Sequence, residues 1–319
     1  MIQTIDKNKY KITIDCGNIS GKRKRISRTF IGNKKEARLT ELKLKEEVNN
    51  KKIIIQKKYS TFNDLIEVFI NDYCKTNVRE NTLYGYKSLL VVIKKELGDC
   101  PIDNINTYTL QRFYNKLKIE YKFSSNTISH YYVLINNIFK KSINWEFISI
   151  NPNEKIEKPK IIKKEKKIYD YDDLKKLKIV LNNYPLSHSL PILLCIDSGL
   201  RKEEINGLQW KDIDFEKKLI DINKVRIAVG KKIIIEEPKT VNSKWIISIS
   251  EYIINLLKAL KNEQEILYKS NNKKISDDNY IFINNKCEPY YPDTIPKIFQ
   301  KIIKSNNLKK ITFHELRHT

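Results

Sequence analysis

Apolar and polar positions alternate at the start of this chain. Tyr10, Ile12 and Ile14 are separated by polar residues, and Ile26, Arg28 and Phe30 repeat the pattern. A period of two predicts two strands, each with one buried face. Gly17 and Gly21 bracket the turn expected between them. Asn33, with Glu36 three residues on, predicts a capped helix running to about residue 50. From residue 61 the period lengthens. Thr61 and Asp64 cap a helix on which Phe62, Leu65, Ile66 and Phe69 share a face, and Leu83, Tyr86, Leu90, Ile93 and Leu97 mark a second, which Gly98 can end. A third is predicted over 107–117 and a fourth over 125–144, before Asn151-Pro152 breaks the pattern.

The second half is mixed. Asp170 and Asp173 cap a helix to about residue 182, and a very apolar helix follows over 189–197. Ser198-Gly199 then turns the chain into a short helix ending near Leu208. Strands are predicted at 219–222, 224–228, 232–235 and 245–249, with Gly230 at a turn, then helices at 251–268 and 292–305. Between the halves, seven lysines and one proline show no helical spacing and read as a solvated tether. The pattern therefore predicts a multidomain α+β chain. It divides into 1–57, a small β-sheet plus helix; 58–152, all helical; 153–168, a basic linker; and 169–319, mainly helical with a small antiparallel sheet.

Composition narrows the partner. The 319 residues carry a formal charge of +23, which favours a polyanion. Residues 1–57 alone hold sixteen basic against six acidic residues. Lys22, Arg23, Lys24 and Arg25 fall in or beside the predicted turn, and Lys163 and Lys164 in the tether. These six are the candidate contacts to DNA phosphates. Five cysteines with no C-x-x-C spacing fit reduced thiols. No apolar run approaches the roughly 20 residues of a membrane span. A cytoplasmic protein without a membrane partner is expected.

The last eight residues, Thr312 to Thr319, hold two of the four histidines. His314-Glu315-x-x-His318 fits a zinc-protease helix, with Glu315 as base. His314-x-x-Arg317 fits phosphate handling instead. Zinc in stoichiometric amount in the purified protein would favour the first reading, which lacks a downstream third ligand.

Residues 197–214 decide for the second. Asp197-Ser198-Gly199-Leu200-Arg201-Lys202-Glu203-Glu204-Ile205, continuing through Leu208, Trp210, Asp212 and Asp214, resembles the first box of the tyrosine recombinases, the phage-integrase family. His314 to Thr319 resembles the second box, H-x-L-R-H-(T/S). The resemblance implies an arm-type DNA-binding domain over 1–57, a core-binding domain over 58–152 and a catalytic domain over 169–319. It implies cutting and rejoining of double-stranded DNA through a 3′-phosphotyrosine, with no cofactor or metal, by a homo-oligomer of two to four subunits integrating or excising a mobile element. Arg201 and Arg317 match the arginine pair, His314 the general acid/base, and Lys239 the hairpin lysine that protonates the leaving oxygen. Glu204 and His318 match supporting positions. Planar, always-charged guanidinium groups suit the charge that builds on an attacked phosphodiester.

The family places its nucleophilic tyrosine beyond the second box, and no residue follows Thr319. The chain is therefore expected to be a truncated integrase that binds DNA without cutting it. The alternative is a DNA-binding remnant with no chemistry. Both predict that affinity for duplex DNA falls about a thousandfold between 50 and 200 mM salt, which a filter-binding series measures. A flat response contradicts both.

Overall fold

The computed structural model describes residues 2–19, 22–49, 60–161, 167–237 and 245–319, without the side chains of 16–24 and 47–49. It forms two compact units, 1–162 and 163–319. Lys163, Lys164 and Lys239 lie outside the described residues, as do the side chains of Lys22, Arg23 and Lys24.

The first unit begins with an antiparallel sheet in the order β1 (Ile2–Asp6), β2 (Lys9–Ile19), β3 (Lys22–Ile31). β1 escapes the sequence pattern because its burial does not alternate. The predicted turn is also narrower than Gly17 to Gly21. β2 continues to Ile19, which pairs with Lys22, so the basic run belongs to a strand. Ile12 and Ile14 are buried with Ala37 and Leu44 of α1 (Lys34–Asn49). The Asn33 side chain accepts from the Glu36 N–H, and the Glu36 carboxylate accepts from the Asn33 N–H. On the outer face Lys11 is paired with Thr29, Thr13 with Ser27 and Asp15 with Arg25; Asp15 and Arg25 make a loose ion pair of 3.9 Å.

Four helical segments form the rest of this unit. α2 (Phe62–Val68) runs through a π-helical turn at Phe69–Cys74 into α3 (Lys75–Asn77). α4 (Glu80–Leu97), α5 (Thr107–Ile119) and α6 (Ser125–Asn144) follow. Phe62, Leu65, Ile93, Leu110, Leu134 and Phe139 lie at the centre of the core. Gly98 ends α4 in the right-handed conformation, so its value is not a left-handed φ. A β-carbon there would collide with the Lys94 carbonyl oxygen and lie 2.7 Å from the Asn63 side-chain amide.

The solvated tether expected from residue 153 begins later than that. Asn153 is fully buried and Ile156 joins the helical core. The Asn153 side-chain oxygen accepts from the Tyr114 hydroxyl at 2.7 Å, and its side-chain NH2 donates to the Tyr132 backbone carbonyl. The lysine count hid this because the anchoring residues are polar and need partners distant in sequence.

In the second unit α7 (Tyr171–Leu181) precedes α8 (Leu186–Ser198), whose residues 189–195 are all buried. α9 (Lys202–Gly207) and β4 (Ile213–Asp214) follow. The strands form two sheets rather than one. β4, β5 (Leu219–Ile222) and β8 (Trp245–Ser248) make the first, and the hairpin of β6 (Val225–Val229) and β7 (Lys232–Glu236) the second. Gly230 turns that hairpin at φ +61°. α10 (Glu251–Ser270), α11 (Thr294–Ser305) and the short α12 (Phe313–Leu316) complete the unit. α8 is its hub, in contact with α9, α10, α11 and α12. Among the described residues no helix is long and apolar enough to cross a membrane.

Asn153→Ala should leave the Tyr114 hydroxyl buried without its partner, which costs about 1–3 kcal/mol. Hydrogen exchange at the Asn153 and Ile156 amides should speed up accordingly, and unchanged protection would show that the segment is not part of the core.

Candidate functional site

Two local structures present the candidate residues Arg201, His314 and Arg317, and both α9 and α12 contact α8. Gly199 ends α8 in the left-handed conformation, φ +65°. A side chain there would be strained by its backbone, although no atom lies within 4 Å of the added carbon. The turn drops Leu200 into the core and delivers Arg201 to the start of α9.

Arg201 is held at both ends by one carboxylate. One oxygen of Glu204 accepts from the Arg201 backbone N–H at 2.7 Å, and the other from the guanidinium at 2.6 Å. The Glu204 side chain is 2% exposed and that of Arg201 49%. A buried carboxylate that takes both bonds fixes the root and tip of the arginine, while the remaining donors face outwards. An isolated Glu204 would be far too costly to bury.

α12 presents the second set. Thr312 caps it, and its hydroxyl accepts from the Glu315 N–H while the Glu315 carboxylate accepts from the Thr312 N–H. Phe313 and Leu316, three apart, are buried, and Phe313 meets Phe299 edge-on at 5.9 Å. Helical spacing then turns His314 towards solvent and leaves Arg317 at the edge of the buried face. His314 and His318 are exposed and Arg317 is half-buried. The two imidazole rings stand perpendicular with centroids 5.2 Å apart.

Cys195 of α8 supports the first set. Its thiol donates to the Leu200 carbonyl at 3.6 Å, one residue before Arg201. Burial pushes the thiol up to about 12, and the nearby Arg317 charge works in the opposite direction. Arg201 and His314 are exposed and Arg317 is half-buried, and guanidinium and imidazole groups of this kind suit a phosphodiester.

The zinc reading fits this arrangement poorly. Glu315 is committed to the helix cap, and among the described residues no three His, Cys, Asp or Glu side chains are grouped to hold a metal. Arg25 belongs to β3 of the N-terminal sheet, in the other unit. Sequence reasoning missed Cys195 and Tyr169. Cys195 looks like any buried small residue, and Tyr169 gains meaning only through contacts about 150 positions away.

Residues 163–319 match the family described as Phage integrase family, and residues 61–118 match Phage integrase, N-terminal SAM-like domain. The ICEBs1 integrase of Bacillus subtilis (strain 168) is 25% identical over all of this chain and 86% of its own length. Among solved structures, the Tn1549 transposon integrase in complex with transposon right end DNA superposes with a TM-score of 0.71 at 22% identity, over 81% of this chain and 84% of that one. A lambda integrase tetramer bound to a Holliday junction gives 0.59 at 17% identity, over 99% and 88%.

The Thr312 backbone N–H, then the Thr312 hydroxyl, hold the Glu315 carboxyl below its ordinary value of 4.5, with help from Lys167. A depressed carboxylate stabilises fully above the ordinary value and ceases to as pH falls through the folded one. Acidification below pH 4.5 should therefore loosen α12. The His314 and His318 ring signals in NMR spectra should report this, and Glu315→Gln should remove that part of the transition. An identical acid profile in the variant would contradict the cap.

Proposed function

The chain belongs to the phage integrase family, and from that premise we propose how its residues serve site-specific recombination. The reading is a tyrosine-type DNA recombinase of a mobile element, of a family that cuts and rejoins DNA through a 3′-phosphotyrosine, with this chain holding the phosphate-binding residues and binding DNA. Its partner is double-stranded DNA, as in the bound Tn1549 and lambda integrases, and it assembles on DNA as a homo-oligomer of two to four copies in the cytoplasm.

Arg201 and Arg317 grip the non-bridging oxygens of the scissile phosphate. His314 moves a proton at the attacking hydroxyl or orients the phosphate. Lys239 supplies the proton to the leaving 5′-oxygen. Glu204 orients Arg201, and His318 supports His314. The nucleophile's role is assigned to none of the eighteen tyrosines of the sequence. The observation that carries the reading is the Glu204 carboxylate, which spends both oxygens on Arg201 and leaves the guanidinium's outer donors free to meet an anion.

In the same reading residues 1–57 bind arm-type sites and 58–152 grip the core site, joined by the basic linker 153–168 to the catalytic domain 169–319. Lys22, Arg23, Lys24 and Arg25 take phosphates in the first of these, and Lys163 and Lys164 in the linker. These contacts position the protein without reading sequence.

The test is a double-mutant cycle on DNA binding, using a duplex selected by the chain itself. Arg201→Ala and Arg317→Ala should each weaken binding roughly tenfold, about 1.4 kcal/mol. Two cations on one phosphate are not independent, so the double variant should depart from additivity by at least about 0.5 kcal/mol. Additive losses would mean that the two arginines touch separate phosphates, and would favour the DNA-binding remnant.

A further inference from the structure

Tyr169 lies at the start of the second unit, just before the Asp170 cap of α7, and is 3% exposed. Three bonds tie it and its neighbours to the far end of the sequence. Its hydroxyl donates to the Lys309 carbonyl at 2.6 Å. Its backbone N–H donates to the Thr319 hydroxyl at 3.3 Å. Lys309 in turn pairs with Asp173, three residues after the Asp170 cap, at 2.9 Å. Lys309 stands just before α12 and Thr319 just after it. One residue therefore holds both the entry and the exit of the helix that carries His314 and Arg317.

α12 needs such a hold. Four helical residues cannot sustain a helix on their own, because nucleation is costly and few bonds follow it. The Thr312–Glu315 cap fixes the first turn, and Phe313 and Leu316 fix which side faces the core. Neither restrains sliding or rotation of the last residues, where Arg317 sits. Bonds at both ends do.

We infer that Tyr169 is a positioning residue for the phosphate site, bracketing α12 so that His314 and Arg317 keep a fixed place relative to Arg201. The inference rests on the reading of α12 as half of that site. Tyr169 also ends the basic linker, so the residue that receives the linker is the one that sets the terminal helix. Burial, and then the charge of Asp173, push its phenol up to about 12, so the hydroxyl remains a donor across the neutral range. Glu315 extends the same link, since the Lys167 backbone acts on its carboxylate.

The sequence offers a clean readout, because it has four histidines: His130 in the helical domain, His188 on α8, and His314 and His318 on α12. The full chain with labelled histidine side chains should give four imidazole signals. Tyr169→Phe keeps the buried ring and deletes the hydroxyl, and Thr319→Val deletes the other bond. In both variants the His314 and His318 signals should move while His130 and His188 stay in place. Four unmoved signals would overturn the inference. So would movement of His188 along with the α12 pair, which would make Tyr169 a general support of the domain. DNA affinity of the same variants, measured on the selected duplex, separates the two claims. If His314 and His318 move but the roughly tenfold effect of Arg317→Ala is absent in the wild-type background, the bracket stands and the phosphate reading fails.

Discussion

A buried carboxylate must be satisfied, and the candidate site in the second unit of this chain is arranged around one. Glu204 lies almost wholly out of water, with the Arg201 backbone on one oxygen and the Arg201 guanidinium on the other. Losing the arginine would leave a charge without compensation in a low-dielectric site. Losing the glutamate would free a long, flexible cation to explore many rotamers. Each residue thus fixes the other, and a guanidinium fixed in advance spends less entropy when it meets a phosphate. The Gly199 turn, the buried Leu200 and the Cys195 thiol determine where this pair stands.

The same economy recurs along the chain. An acid three residues after a polar cap closes the first turn of a helix at Asn33 and Glu36, Thr61 and Asp64, Asp170 and Asp173, and Thr312 and Glu315. These boxes are local, cost no tertiary contact, and satisfy backbone donors that would otherwise be orphaned. They explain why helix starts are well defined, α12 included. What they do not supply is the placement of one helix against another. That comes from α8, whose residues 189–195 are buried and which touches α9, α10, α11 and α12.

Much of this was legible in the sequence. The predicted helix over 125–144 coincides with α6, and its apolar positions Ile128, Tyr131 and Ile135 are the buried ones. The box around Arg201 and the terminal octapeptide are contiguous motifs whose meaning is local. The misses share a cause. Asn153 is polar and followed by lysines, and its burial depends on Tyr114 and Tyr132 from other helices. Gly98 ends α4 as the sequence suggests, and the close approach of the Lys94 carbonyl and the Asn63 side chain, invisible to periodicity, is what requires it. Tyr169 carried no signal at all, because its partners Lys309 and Thr319 lie at the other end of the unit. Periodicity reports which face is buried, not what it meets.

The most direct measurement is a scan of single neutral methylphosphonates along each strand of the selected duplex, read as binding affinity for the wild type, Arg201→Ala and Arg317→Ala. If the two arginines share one phosphate with His314, neutralising that phosphate weakens the wild type and costs both variants much less. Every other position affects the three proteins alike. A scan in which no position distinguishes the variants from the wild type, or in which the two arginines respond at different phosphates, contradicts the account.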